Sequence, residues 1–185
     1  MKELEVKILD ISYEKIKEKF QELWVKYINT QNLKSVFLEN TNWKICRIRK
    51  EWDNIVINTK IWKVKNGVKI NDEFEFISKN HLFDILRFFE AIWFKRKKIL
   101  KKIRENYTFE DIKISVDDNF EIPRNIEIEW KNIDSIKSFA SKIWFSQDDF
   151  CELKEDEIFQ LYKKERWVML NNEFEDFEKI KKYFQ

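Results

Sequence analysis

Apolar and charged residues alternate strictly along the first strand-length of the chain. Leu4, Val6 and Ile8 fall on one side, and Glu3, Glu5 and Lys7 on the other. A period of two predicts a strand. After Ser12 the apolar spacing lengthens, with Tyr13, Ile16, Phe20 and Leu23 on one stripe and Glu14 in the first turn. That pattern predicts an amphipathic helix capped by Ser12. Strands are then expected at 33–38, 44–50, 54–61 and 68–77, and a second helix at 79–92 carrying Leu82, Leu86, Phe89 and Ile92. Three more strands are expected at 98–107, 110–117 and 125–131. Asp134 is the expected cap of a third helix with Ile136, Phe139 and Ile143, and helices at 155–164 and 172–184 follow.

Strands stand mostly next to strands in this order, which favours hairpins and an antiparallel sheet over a parallel βαβ arrangement. Eight strands suffice to close a barrel. The expected class is therefore α+β, an eight-stranded antiparallel closed β-barrel with amphipathic helices outside. No Pro- or Ser-rich tract divides the sequence, so residues 1–165 are read as one domain and 166–185 as a C-terminal helical extension.

Nearly every strand has one charged face. Arg47 pairs with Arg49, Glu73 with Glu75 (opposite Phe74 and Phe76), and Lys102 with Arg104. Lys113, Ser115 and Asp117 alternate with isoleucine and valine, as do Glu127, Glu129 and Lys131. Such faces either point to water, as in a one-sided sheet, or turn inward while the helices cover an apolar outside. Three amphipathic helices need an apolar surface to cover, which favours the second arrangement. Its natural guest is a polyanion with a divalent cation, carboxylates taking the cation and Lys and Arg the phosphates.

The ordered series of these motifs resembles the CYTH family, the triphosphate tunnel metalloenzymes. That family includes class IV (CyaB-type) adenylate cyclases, thiamine triphosphatases and inorganic triphosphatases. Glu3-x-Glu5-x-Lys7 resembles the family's ExExK signature, and Cys46-Arg47-Ile48-Arg49 its L-R-I-R strand. Ile57-Asn58-Thr59-Lys60 is similar to L-T-x-K, Glu73-Phe74-Glu75 to E-x-E, and Lys102-Ile103-Arg104 to K-x-R. Val116-Asp117 and Ile126-Glu127-Ile128-Glu129 complete the series. The chain departs from the pattern at Ile122-Pro123-Arg124-Asn125, where the family has L-G before F-x-E-I-E, and it lacks Y-F-D after the first helix.

The resemblance implies that Arg47, Arg49, Lys60, Lys102 and Arg104 grip a triphosphate, since the planar arginine fork binds phosphate oxygens in bidentate fashion. It implies that Glu3, Glu5, Asp117, Glu127 and Glu129 hold Mg²⁺ or Mn²⁺, hard cations that prefer oxygen. Glu73 and Glu75 bind metal or orient the bases in this reading, and Lys7 lies near the scissile phosphate. Catalysis is then expected of Lys7, Glu5 and Glu129. Two reactions fit: hydrolysis of the terminal phosphate, or attack of a ribose 3′-hydroxyl on the α-phosphorus to give cyclic AMP and pyrophosphate. No base pocket is identifiable, so hydrolysis of a triphosphate (inorganic, thiamine or nucleoside) is the expectation. The CyaB-like cyclase and a non-catalytic triphosphate- or polyphosphate-binding module are the alternatives.

Composition narrows the classes further. The 185 residues are 43% hydrophobic and 38% charged with 17 Phe, which excludes a disordered chain. No apolar run approaches the roughly 18 residues of a membrane span. Net charge is +2, from 36 basic and 34 acidic residues, not the excess of a general nucleic-acid-binding face. The expected partner is a triphosphate-containing small molecule, without nucleic acid or membrane, and the expected state is monomer or homodimer. The opening MKELEVKI is not read as a secretory signal, and Cys46 and Cys151 are read as reduced thiols, so the expected location is cytoplasmic. His81 is the one histidine, at a helix start, and reads as a surface or capping residue; a His triad or zinc site would need more partners.

One number is abnormal. The chain has 1 Gly, 1 Pro and 8 Trp, where average usage gives about 13 Gly. Trp24, Trp93 and Trp144 each follow an amphipathic helix, at the position where a left-handed residue favours Gly. Trp52 and Trp130 stand where the family often has Gly, and Trp43, Trp62 and Trp167 lie in polar, turn-like surroundings. Most or all eight are read as glycines in the native protein, encoded by UGA codons that some bacterial lineages decode as glycine.

Overall fold

The computed structural model describes residues 2–40, 45–51, 53–65, 68–119, 122–153 and 155–163. The eight strands are β1 (Lys2–Ile8), β2 (Lys26–Glu39), β3 (Ile45–Glu51), β4 (Asn54–Lys65), β5 (Val68–Ser78), β6 (Lys95–Phe109), β7 (Ile112–Asp118) and β8 (Asn125–Trp130). Helix α1 (Tyr13–Glu22) follows β1, α2 (Leu82–Ala91) follows β5, and α3 (Ile133–Lys142) and α4 (Glu155–Lys163) follow β8. The strands form a closed barrel in the order β1-β5-β4-β3-β2-β6-β7-β8. Every pairing whose register is described is antiparallel, including the β1–β8 pair that joins the ends of that order. The α+β barrel expected from the alternating faces is the observed fold.

Two compact units make up the chain. One comprises the described residues within 2–32, 61–72 and 102–163; the other comprises those within 33–60 and 73–101. Each has its own core. In the first, Val6 and Ile8 of β1 and Ile126 and Ile128 of β8 pack with Ile16 and Phe20 of α1 and Ile136 and Phe139 of α3. In the second, Val36, Leu38, Ile48 and Ile57 pack with Leu82, Ile85 and Leu86 of α2. The apolar strand faces are therefore the ones beneath the helices, as the amphipathic stripes required.

Boundaries moved where alternation is silent. β2 begins at Lys26, well before the expected 33–38, because its first half is polar and exposed. That half is held by side-chain amides instead: Asn106 of β6 donates to Asn29 at 2.7 Å and to Gln31 at 3.0 Å. Ser12 occupies the cap position of α1 but its side chain makes no capping bond. The cap of α3 is Asn132, whose Oδ1 accepts from the Asp134 amide at 2.8 Å, so Asp134 is a first-turn residue rather than the cap. His81 caps α2, its Nδ1 accepting from Phe83 at 3.4 Å. Both cysteines are free, and burial pushes the Cys46 thiol up to about 11. No helix among the described residues is long and apolar enough to cross a membrane. The expected helix at 172–184 lies outside the described residues.

Candidate functional site

In the first unit the register places the charged residues in rows. Glu5 of β1 lies opposite Lys69 of β5 on one side and Glu129 of β8 on the other, and Glu129 lies opposite Lys113 of β7. The next row runs from Lys7 to Glu127 to Ser115. A third brings Asn125, Asp117 and Arg104 side by side. Pleating puts Glu5, Lys7, Glu127 and Glu129 on the face opposite Val6, Ile126 and Ile128, away from the apolar core.

That face is buried too. Lys7, Lys102 and Asp117 are all less than a tenth exposed, so among these residues the charged face does not simply point to water. The charges pair instead. Lys7 Nζ lies 2.8 Å from Glu127 Oε1, and Lys102 Nζ donates to Asp117 Oδ2 at 2.6 Å. Arg104 bonds Asp117 through Nε and Nη2, each at 2.6 Å, and also donates to Glu127. Burial alone would raise both carboxyls, but the surrounding cations prevail. Lys102 and Arg104 hold Asp117 below its usual range, and Arg104, Lys7 and Lys102 hold Glu127 well below.

Glu5 facing Glu129 is the informative contact of this unit. Like charges directly opposite on neighbouring strands repel, and an oxygen-only pair of this kind suits a hard divalent cation. Among the described residues, no group of three or more acidic, His or Cys side chains converges as a ready-made metal cage. The side chain of Glu3, named above as a ligand, lies outside the described residues.

Lys69 was missed by sequence reasoning. It shares the strand-face parity of Glu73 and Glu75, but no quoted motif contains it; only the β1–β5 register brings it to Glu5. Burial lowers its ammonium's pKa, and nearby Lys7 lowers it further.

The outer face of β6 fixes α1. Glu105 accepts from Tyr13 at 2.7 Å and from Lys17 at 3.3 Å, and Lys17 also donates to Tyr107 at 3.0 Å. This cluster anchors the helix directly behind Arg104.

The second unit carries its own basic set. Arg47 of β3 donates through Nε to Asn58 of β4 at 3.0 Å, and Asn58 donates to Glu73 of β5. Lys60 Nζ lies 3.1 Å from Glu73 Oε2, with Arg47 Nη2 at 3.9 Å from the other oxygen. Glu73 thus sits against both Arg47 and Lys60, whereas no contact of Glu75 is described. Arg49 pairs with Glu51, yet its Nε is buried with no hydrogen-bond partner. A buried, charged N–H left unmet is an anion-binding donor in waiting.

Comparison with known proteins follows the same outline. A family model, the CYTH domain, matches residues 1–162. No curated protein matches the sequence. A Pyrococcus horikoshii protein of solved structure superposes with a TM-score of 0.73 at 22% identity, covering 84% of this chain and 98% of that one. A candidate adenylate cyclase from Vibrio parahaemolyticus gives 0.69 at 13% identity, covering 85% and 97%. A candidate adenylyl cyclase from Hippeastrum, described as having a dominant triphosphatase activity, gives 0.62 at 15% identity, covering 86% and 95%. At these identities the structures speak for the fold, and the family model speaks for descent: the chain belongs to the CYTH domain family.

Proposed function

We propose that the protein is a divalent-metal-dependent phosphohydrolase acting on a triphosphate. The observation that carries this reading is the buried ionic row of the first unit, Lys7–Glu127–Arg104–Asp117–Lys102. Burying five charged side chains is costly unless they pair or serve a ligand, and an apolar replacement would stabilise the fold equally well. Taken by itself, the second unit also carries groups suited to anions, the unmet Nε of Arg49 and the Arg47–Lys60 pair on Glu73.

The facing carboxylates of Glu5 and Glu129 support a hard divalent cation here. Glu5 and Glu129, with Glu3, Glu127 and Asp117, would hold Mg²⁺ or Mn²⁺, which when bound neutralises phosphate charge. The chain's own residues do the rest. Lys102 and Arg104 bind the phosphate oxygens, giving up part of their hold on Asp117. Lys7 stabilises charge developing on the terminal phosphoryl group as water attacks its phosphorus in line, giving phosphate, and the remaining diphosphate leaves (pyrophosphate from tripolyphosphate, the diphosphate ester from a thiamine or nucleoside triphosphate). Lys69, beside Glu5, adds a cation to the same face.

The test is direct. Purified protein with Mg²⁺ or Mn²⁺ is incubated with tripolyphosphate, thiamine triphosphate and ATP, and phosphate, pyrophosphate and cyclic AMP are resolved. Phosphate release that stops on chelation is the expected result. Cyclic AMP with equimolar pyrophosphate would instead establish a cyclase. Tight tripolyphosphate binding without any product would leave a binding module and overturn the enzyme.

A further inference from the structure

Asn125 is wholly buried in β8, and neither its Nδ2 nor its Oδ1 has a hydrogen-bond partner. Nearby in sequence, just past the end of β7, Asn119 is 4% exposed with an unpartnered Oδ1. Buried amides without partners are rare because the lost hydration is not returned. An apolar side chain of the same size would be the stable choice here. The strand period puts Asn125 on the same face as Glu127 and Glu129, and the register puts it directly opposite Asp117, the residue that Arg104 grips.

We propose that Asn125 is a substrate-contacting residue, its Nδ2 donating to an oxygen of the triphosphate drawn to Arg104. An amide suits this place. A further cation would compete with Lys102 and Arg104 for Asp117, and a further carboxylate would repel the phosphate, whereas an amide adds a donor and no charge. This proposal rests on the triphosphate reading, and the experiment separates the two. Tripolyphosphate binding is measured by calorimetry for the wild-type chain, Asn125→Leu and Asn125→Asp, with thermal unfolding of each. Asn125→Leu is expected to leave Tm unchanged or raise it, while the tripolyphosphate Kd rises about tenfold, the loss of one hydrogen bond. Asn125→Asp is expected to weaken binding further by adding a charge beside Asp117. A higher Tm with unchanged Kd in Asn125→Leu would overturn the contact and leave a mere packing defect. If Asn125→Leu fails to fold, unchanged affinity in Asn125→Asp overturns it equally. A wild-type chain that does not bind tripolyphosphate would sink the triphosphate reading itself, and this contact with it.

Independently, the helix ends carry an inference about the residues themselves. Trp24, Trp93 and Trp144 have φ of 58°, 62° and 68°. Each sits in a complete Schellman motif. The Trp24 amide donates to Gln21 O at 3.1 Å and Val25 to Phe20 O at 2.8 Å; Trp93 donates to Glu90 at 3.0 Å and Phe94 to Phe89 at 3.0 Å. Trp144 donates to Ser141 at 3.1 Å and Phe145 to Ala140 at 2.9 Å. This left-handed position is the one glycine dominates, and a bulky residue there is strained. Trp24 and Trp93 are 90% and 82% exposed, so neither gains burial in return; Trp144 is 59% exposed, with Lys19 over its ring at 5.1 Å. Trp130 is different, being half-buried within β8 against the first core. Trp62 lies within β4, and Trp43, Trp52 and Trp167 lie outside the described residues.

We infer that positions 24, 93 and 144 are glycine in the protein as its own cell makes it, through UGA codons read as glycine. Peptide mass spectrometry of the protein from its source cells should show glycine at all three, with UGA in the gene. Tryptophan in those peptides, or UGG codons, would overturn this. In the chain carrying tryptophan, Trp24→Gly, Trp93→Gly and Trp144→Gly are each expected to raise Tm by roughly 2–4 °C; a fall at all three would count against relief of strain.

Discussion

Glu5→Gln and Glu129→Gln are each expected to reduce metal-dependent phosphate release by about 10²–10³-fold, while the folded protein is as stable as wild type or slightly more so. The opposite signs come from one geometric fact. The two carboxylates face each other across β1 and β8. With both ionised and no metal between them they repel by about 0.2–1 kcal/mol, a cost partly offset by Lys69 opposite Glu5 and by Lys113, whose Nζ lies 3.8 Å from Glu129 Oε1. With a cation held between them they contribute several kcal/mol of charge stabilisation to the reaction, and each 1.36 kcal/mol lost is tenfold in rate. Phosphate release against Mg²⁺ and Mn²⁺ concentration, with thermal unfolding of the same samples, checks both halves. Normal turnover in either variant at low metal would remove these residues from the metal site.

Arg104→Met is expected to act in the other direction, on stability first. Arg104 is shared by Asp117 and Glu127, two carboxylates 1% and 16% exposed at the side chain. Removing the shared cation leaves Asp117 with Lys102 alone and Glu127 with Lys7, a loss of up to about 3–5 kcal/mol, or roughly 2–4 °C of Tm per kcal/mol at this chain length. The loss depends on pH. Despite their burial, the cations hold both groups lower when folded than when unfolded. Their contribution is therefore complete above the ordinary carboxylate range and fades as pH falls through the lower folded values. Without Arg104 those values rise, so the acid limb of the stability profile should move to higher pH. Arg104→Lys keeps a charge but not the fork, and should fall between. An unshifted acid limb in Arg104→Met would mean that Lys7 and Lys102 carry the pair alone.

Much of this was legible in the chain because burial here has a strict period. In β1, Leu4, Val6 and Ile8 meet the core while Glu5 and Lys7 meet other charges, and a two-residue repeat records that division in one dimension. The helices were legible for the same reason, through Ile16 and Phe20 in α1 and Ile136 and Phe139 in α3. The helix ends were legible because a left-handed turn tolerates few residues, and Trp24, Trp93 and Trp144 occupy that position. The first half of β2 was not legible: Asn29 and Gln31 bury nothing and are held by Asn106, some 75 residues away.

By itself, then, the sequence determined which residues share a strand face, that eight strands come with amphipathic helices between them, and where the left-handed helix ends fall. These are local properties, set by side-chain periodicity and backbone sterics. Only the tertiary structure decided which charges meet. Register across β5, β1, β8 and β7 set Lys69 beside Glu5, Glu5 against Glu129, and Asn125 against Asp117. Pairing between strands distant in sequence depends on closing long loops and matching two faces at once, and no local repeat encodes it. The same pairing left the amide of Asn125 and the Nε of Arg49 buried without partners.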